Sequence, residues 1–297
     1  MPDHASGSGS VSRLVARVGI AILTVVVIPG VTYARQGREQ SDPTVTTTAA
    51  AEVRDEALDF LAAQLAHPRV MEARLQARFE IKRMFRERGI SYPASELFIR
   101  VFKRERLLEL WVRPSSEDEF VLLRQYMVCA LRGDLGPKRI QGDRQTPEGF
   151  YEIDRFNPNS AFHLALQVNY PNRSDRLAGR SRGTAALGGE IMIHGGCQTE
   201  GCIAVTNEAI KEIYWIAVET RVTGQEHIPV HIFPARLTNE DLTLLAERHQ
   251  GQPWLVAFWT SLKPGYDYFE RTHRLPPIRV DETGHYLLLG QSETDRG

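Results

Sequence analysis

The stretch Ile191-Met192-Ile193-His194-Gly195-Gly196-Cys197-Gln198-Thr199-Glu200-Gly201-Cys202-Ile203-Ala204-Val205-Thr206 holds the pattern on which the reading of this chain turns. Its apolar opening residues read as a strand that delivers His194. A glycine-rich turn follows, and Cys202 sits between Gly201 and a second apolar run. A loop of this size folds back far enough for thiol and imidazole to meet. The pairing lets His194 draw the proton and leaves a thiolate, the competent nucleophile. Gly201 leaves the sulfur open to approach, and the N–H groups of Gly201 and Cys202 are candidates to meet an oxyanion formed at an attacked carbonyl. A cysteine so placed is an acyl carrier, suited to amide exchange without an external energy source.

Outward from this segment, ELFIRVFK (96–103), LLELWV (107–112) and FVLLRQYMV (120–128) predict an antiparallel meander. Further strands are expected at GFYEI (149–153), HLALQV (163–168), EIMIH (190–194) and IPVHIF (228–233), with GDRQTPEG (142–149) a turn-rich loop leading into one of them. Helical spacing occupies the flanks. Leu58, Leu61 and Leu65, then Val70, Leu75, Phe79, Ile81 and Phe85, predict two amphipathic helices broken at His67-Pro68. Their charged face (Arg78, Lys82, Arg83, Arg86, Arg88) reads as solvated surface. Ile210, Ile213, Tyr214, Ala217 and Val218 predict a helix capped by Thr206 or Asn207. Short helices are expected near 238–249 and 253–262, packed by Trp254, Trp259, Tyr266 and Phe269, and then a hairpin from PIRVDE and GHYLLLG.

At the other end, Arg13 and Arg17 precede an apolar run from Val18 to Ile28, closed by Pro29-Gly30, and Thr32-Tyr33-Ala34 offers small residues for cleavage. The run suits a signal-peptide core and falls short of the roughly 20 residues that span a bilayer. Residues 1–34 are therefore expected to be an export signal, with an uncleaved membrane anchor as the alternative. The polar, aperiodic RQGREQSDPTVTTTAAA (35–51) reads as a flexible linker. Export to an oxidising compartment without an ATP pool speaks against nucleotide-driven chemistry. The 297 residues are 42% hydrophobic and 25% charged, which excludes a disordered chain, a collagen-like repeat or a multi-span membrane protein. Lys+Arg and Asp+Glu number 36 and 37, so no basic surplus calls for nucleic acid.

The chain has three cysteines. Cys197 has three readings: paired with Cys129, which leaves Cys202 as the free thiol; reduced in its loop; or bridged to Cys202, which blocks the nucleophile. His194-x2-Cys197-x4-Cys202 supplies three possible zinc ligands, but the usual C-x2-C or H-E-x-x-H spacing is missing, and no metal or cofactor is expected. The loop 172–183 holds Arg173, Arg176, Arg180 and Arg182, and guanidinium forks bind carboxylates bidentately. Arg180 and Arg176 are the candidate substrate-binding residues, against the alternative of a solvated loop. His163, His227, His231 and His249 lack comparable surroundings and are expected to be structural or exposed.

His194 followed by T-x-G-C at 199–202, together with GDRQTPEGFY (142–151), resembles the signature of the L,D-transpeptidase catalytic (YkuD) family. The order of the two motifs also matches. A closer resemblance, to the YafK-like subgroup, runs from about Glu96 to Tyr286 and takes in LGPK (135–138), NYPN (169–172) and SLKPGYDYFE (261–270). The resemblance implies an exported α+β protein whose catalytic domain is a mixed β-sandwich acting on peptidoglycan stem peptides. It assigns Cys202 as nucleophile and His194 as base, with the Gly195 carbonyl orienting the imidazole. The expected layout is a helical extension at 52–92, the catalytic domain at 93–235 and a helical and hairpin appendix at 236–297. Many family members carry Arg two residues after the nucleophile, where this chain has Ala204. The subgroup shares the small residue and resembles periplasmic enzymes that cut the amide between an outer-membrane lipoprotein's terminal lysine and diaminopimelate. Two other activities are carried as alternatives. One is transfer, which forms 3→3 crosslinks, attaches proteins or exchanges D-amino acids. The other is a noncatalytic wall-binding module.

Overall fold

The computed structural model describes residues 43–290 apart from Arg182, Thr184 and Ala185. The expected export signal at 1–34 and the linker as far as residue 42 lie outside the described residues. Helix α1 (Pro43–Leu65) begins inside the stretch read as linker. Ala49, Ala50 and Ala51 have the highest helix propensity of any residue type, and the helix runs through them. Helix α2 (Pro68–Glu87) carries Pro68 at its start, where a missing N–H costs nothing. The face of α2 that packs along the helix following β7 is Val70, Ala73, Ala77, Ile81 and Met84, with Phe85 beside it. Leu75 and Phe79, expected on that face, are exposed, as is Leu58 on α1. Ala73 and Ala77, rather than Leu75 and Phe79, face inward on the stripe, where a small side chain lets two helix axes approach. Among the described residues no helix is long and apolar enough to cross a membrane.

The expected meander forms as β1 (Glu96–Phe102), β2 (Leu107–Arg113) and β3 (Val121–Met127). It continues into β4 (Gly149–Asn157), β5 (Ala165–Val168), β6 (Met192–His194), β7 (Ile203–Ala204) and β8 (Ile228–Phe233). These eight make one sheet in the order β3-β2-β1-β8-β4-β5-β6-β7. Helix α4 (Asn207–Val222) carries the chain from β7 at one edge back to β8, which inserts parallel to β1 and antiparallel to β4. Thr206 caps α4 by accepting the Ala209 N–H at 3.2 Å, and Ile210, Ile213, Tyr214, Ala217 and Val218 are buried as their spacing requires. The β7 edge does not stay open. The chain leaving β3 meets it, with Cys129 N–H donating to the Ala204 carbonyl at 2.9 Å and Ala204 N–H to the Ala130 carbonyl at 3.2 Å. The expected mixed β-sandwich is thus one curled sheet of an α+β protein.

Beyond β8 come α5 (Asn239–Arg248), α6 (Pro253–Thr272) and the antiparallel pair β9 (Ile278–Val280) and β10 (Tyr286–Leu288). Helix α6 runs past Leu262, where its periodicity suggested an end, and passes through Pro264. Packing overrides the local signal. A Cβ on Gly265 would lie 2.6 Å from Phe150 Cζ, so the glycine lets α6 rest on β4. Trp259, Tyr266 and Phe269 are buried packing residues, whereas Trp254 is 39% exposed. Glu148 is fully buried and ties this appendix to the sheet. It accepts the Gly136 N–H at 2.7 Å and the Trp259 Nε1–H at 2.7 Å, and pairs with Lys103 Nζ at 2.9 Å. Replacing Glu148 with Ala strands a buried ammonium and an indole N–H. The expected loss of stability, about 3–5 kcal/mol, is read from the denaturant midpoint of the full chain.

Candidate active site

The parallel pairing of β6 with β7 sets Ile193 opposite Ile203 and His194 opposite Ala204. Residues two apart on a strand point the same way, so Cys202, just before β7, presents its side chain to the same face as His194. The imidazole is 2% exposed and Cys202 is half-buried. His194 Nδ1 lies 2.6 Å from the Gly195 carbonyl oxygen. A carbonyl only accepts, so Nδ1 carries the proton and Nε2 keeps its lone pair. Burial holds the imidazole pKa below its usual value, against the opposing pull of the Gly195 bond. Burial also pushes the Cys202 thiol up, with the Glu190 carboxylate adding to the rise. Bonds from the Met192 backbone and the Thr199 side chain, and the charge of Lys138, oppose it. At rest both groups are neutral. Sγ rests toward the Glu190 carbonyl at 3.6 Å and, among the described residues, makes no direct hydrogen bond to the imidazole.

The loop around the thiol is built by Thr199, which the sequence reading placed in the T-x-G-C motif without giving it a role. Its Oγ1 donates to the Cys202 carbonyl at 3.1 Å and accepts the Gly201 N–H at 3.2 Å. That second bond revises the expected oxyanion donors: the Gly201 N–H is already engaged, which leaves the Cys202 N–H. Gly201 has φ +133°, and a Cβ there would come within 3.3 Å of the Gln145 carbonyl oxygen. The two sequence motifs therefore meet in space at Gly201. Asp143 organises the second motif. It accepts the N–H groups of Arg139, Ile140 and Gln145, each at 3.0 Å, and Lys138 Nζ at 2.5 Å. Burial raises its pKa, but these donors outweigh burial and hold it below the usual carboxylate value.

Of the three readings of Cys197, the structure takes the first: Cys129 and Cys197 are joined by a disulfide, with Cα atoms 5.2 Å apart. The bond removes Cys197 from any zinc-ligating set with His194 and leaves Cys202 as the free thiol. Among the described residues no cluster of His, Cys, Asp and Glu is arranged to hold a metal ion. The disulfide closes a span of 68 residues, which the chain-entropy account values at about 4 kcal/mol. It also tethers the loop between His194 and Cys202 to the end of the meander.

The arginine-rich segment is a helix, α3 (Arg173–Ser181), where a loop was expected. Asn172 Oδ1 accepts the Asp175 N–H at 3.0 Å while Asp175 Oδ2 accepts the Asn172 N–H at 3.1 Å. This reciprocal cap is legible as N-x-x-D in the sequence. Asp175 is buried and also receives Arg139 Nη1 at 2.7 Å and the Tyr151 hydroxyl at 3.0 Å. Arg176 and Arg180 lie on the exposed side of α3 and, with Arg173 and Leu177, line a recess of about 370 Å³. No described hydrogen bond joins either arginine to His194 or Cys202. Arg176 donates to the Pro171 carbonyl. Among the other histidines, His231 is buried between Phe98 and Phe150, and burial depresses its pKa to about 3. His227 is exposed beside Glu152, and the His249 ring packs on Trp259.

The profile of the YkuD L,D-transpeptidase catalytic domain matches residues 98–232. The YafK proteins of Escherichia coli K12 and O157:H7 are each 38% identical over 196 residues, 65% of this chain and 74% of the relative. The chain belongs to the YkuD L,D-transpeptidase family, an enzyme family acting on peptidoglycan. Similar solved structures include the helical cell shape determining protein Pgp2 from Campylobacter jejuni (TM-score 0.38, 19% identity, 63% of this chain and 73% of that one). Bd1075 from Bdellovibrio bacteriovorus is another (TM-score 0.33, 24% identity, 60% and 61%). Overlaps this partial add nothing to the family assignment.

Peptide mapping without reductant should recover Cys129 and Cys197 as one linked pair and Cys202 as the alkylated residue. Because its pKa is raised, Cys202 should react with iodoacetamide more slowly than a free cysteine at pH 7–8. The rate should keep rising above pH 9, where a free thiol levels off.

Proposed function

We propose that this protein is an exported cysteine acyl-enzyme of the periplasm that hydrolyses the amide joining diaminopimelate in a peptidoglycan stem to the terminal lysine of an envelope lipoprotein. The observation that carries the chemistry is the shared face of His194 and Cys202, with Nδ1–H committed to Gly195 and Nε2 left as a base. As Sγ turns from the Glu190 carbonyl and attacks the amide carbon, Nε2 takes its proton. The Cys202 N–H faces the oxyanion. Collapse of the tetrahedral species breaks the C–N bond, and the imidazolium returns the proton to the leaving lysine amine. A water deprotonated at Nε2 then opens the thioester and frees the stem carboxylate.

Hydrolysis is favoured over transfer by what stands at position 204. Ala204 is fully buried and its backbone closes the sheet against Cys129 and Ala130, so the cation that many family members hold there is absent from the thiol's face. Without that anchor, the site has less with which to retain a carboxylate-bearing amine acceptor in place of water. Export is supported by the N-terminal sequence and by the disulfide, which persists in oxidising compartments.

Incubation with purified sacculi, followed by mass spectrometry of the soluble fraction, tests the reading. Lysine-ended peptides should be released without new crosslinks. Cys202→Ala should lower the rate by at least about a thousandfold and His194→Asn by a comparable factor. New 3→3 dimers or exchanged D-residues would assign transfer instead. Sacculus binding that survives alkylation of Cys202, with no turnover in the untreated protein, would assign a wall-binding module.

A further inference from the structure

The connection between β4 and β5 carries an aromatic ring that neither motif includes. Phe162 stacks on the His194 imidazole, with ring centroids 4.7 Å apart and planes inclined by 28°. The residue is otherwise 41% exposed. An exposed phenylalanine gains little from burial there, so the contact with His194 is what the position offers. The loop that presents it is not held by the sheet alone. Arg69, in the first turn of α2, directs Nη1 to two of its carbonyls, Ser160 at 2.5 Å and His163 at 2.8 Å. Ser160 Oγ accepts the Phe162 N–H at 3.1 Å. His163 takes φ +76°, a conformation uncommon outside glycine, and the Arg69 bond to its carbonyl fixes the chain at that point.

We infer that Phe162 is a positioning residue for the His194 imidazole, and that Arg69 of the N-terminal helical extension sets it by clamping the β4–β5 loop. The inference rests on the reading of His194 as the base. Gly195 fixes one ring nitrogen, but a single hydrogen bond leaves the imidazole free to rock about that axis. A ring stacked on its face removes that freedom and keeps water from that side, so Nε2 stays neutral and aimed across the strand pair. Burial is the larger influence on this imidazole, and no charged side chain adds to it. Phe162 supplies part of that burial. The helical extension thereby acts on the chemistry through one arginine, two carbonyls and a ring.

The test uses the full chain with 13C-labelled histidine, the His194 signal being assigned by its loss in His194→Asn. Phe162→Ala should move the His194 titration upward, toward the ordinary histidine value. It should also lower kcat for peptide release from sacculi by about three- to tenfold with KM little changed. Phe162→Tyr keeps the stack and should restore both readouts. Arg69→Ala should shift the titration in the same direction, Arg69→Lys should restore it, and the double Arg69→Ala/Phe162→Ala protein should lose no more than Phe162→Ala alone. An unmoved titration in Phe162→Ala, or additive losses in the double variant, would overturn the proposal. If the wild-type protein released nothing from sacculi, the proposed function would fail, while the titration would still report whether Phe162 sets the imidazole.

Discussion

The pairing of two very short strands sets the geometry of the candidate site. β6 and β7 meet over only two residue pairs, yet their parallel register puts His194 across from Ala204 and so brings Cys202 onto the same face. A slip of one residue would turn the thiol to the opposite side of the sheet. So short a ladder cannot hold its own register, and the surrounding structure does it instead. Ala204 exchanges backbone hydrogen bonds with the Cys129–Ala130 segment, and the Cys129–Cys197 disulfide ties the intervening loop to the same place. The curl of the sheet, which brings the end of β3 round to β7, is therefore a requirement of the site.

Behind that strand pair lies a set of buried polar links that account for motifs outside the His194–Cys202 segment. In NYPN, Tyr170 donates to the Lys138 and Leu187 carbonyls, while Asn172 caps α3 and bonds the Phe150 carbonyl at 2.9 Å. In LGPK, Lys138 and the Gly136 N–H are engaged by Asp143 and Glu148. In SLKPGYDYFE, Gly265 allows the close approach to Phe150, and Glu270 pairs with the buried Arg100 at 2.5 Å. Each motif ends on a buried polar group or a close approach, where a substitution would strand a partner or force a clash. The LGPK and NYPN links bear on the 138–149 loop, which passes against Gly201.

The resting site is a thiol beside a neutral imidazole. Burial disfavours both charged forms, raising the thiol and lowering the histidine, so an ion pair is not prepaid in the free protein. Such a thiol is spared from indiscriminate oxidation and alkylation, since reactivity follows thiolate content.

Local chemistry made much of this legible from residues alone. The alternation at 96–128, the helical spacing at Ile210–Val218 and a cap at Thr206 or Asn207 each depend on neighbours a few positions away, and the sequence determined them, the structure choosing Thr206. The candidate pair His194 and Cys202, with its glycine loop, was legible for the same reason. The exposure of Leu75 and Phe79 and the extension of α6 through Pro264 were settled by packing between distant segments, whereas the Asn172–Asp175 cap of α3 and the bond from the Gly201 N–H to Thr199 are local. The partner of Cys197 had three readings in sequence, and only the curl of the sheet, which sets Cys129 beside β7, decided among them. Phe162 and Arg69 lie far from both motifs, and nothing local marks them. Spacing along a strand or helix is written in the order of residues; which faces meet, and which donors are already spent, depends on contacts that form only when the chain closes on itself.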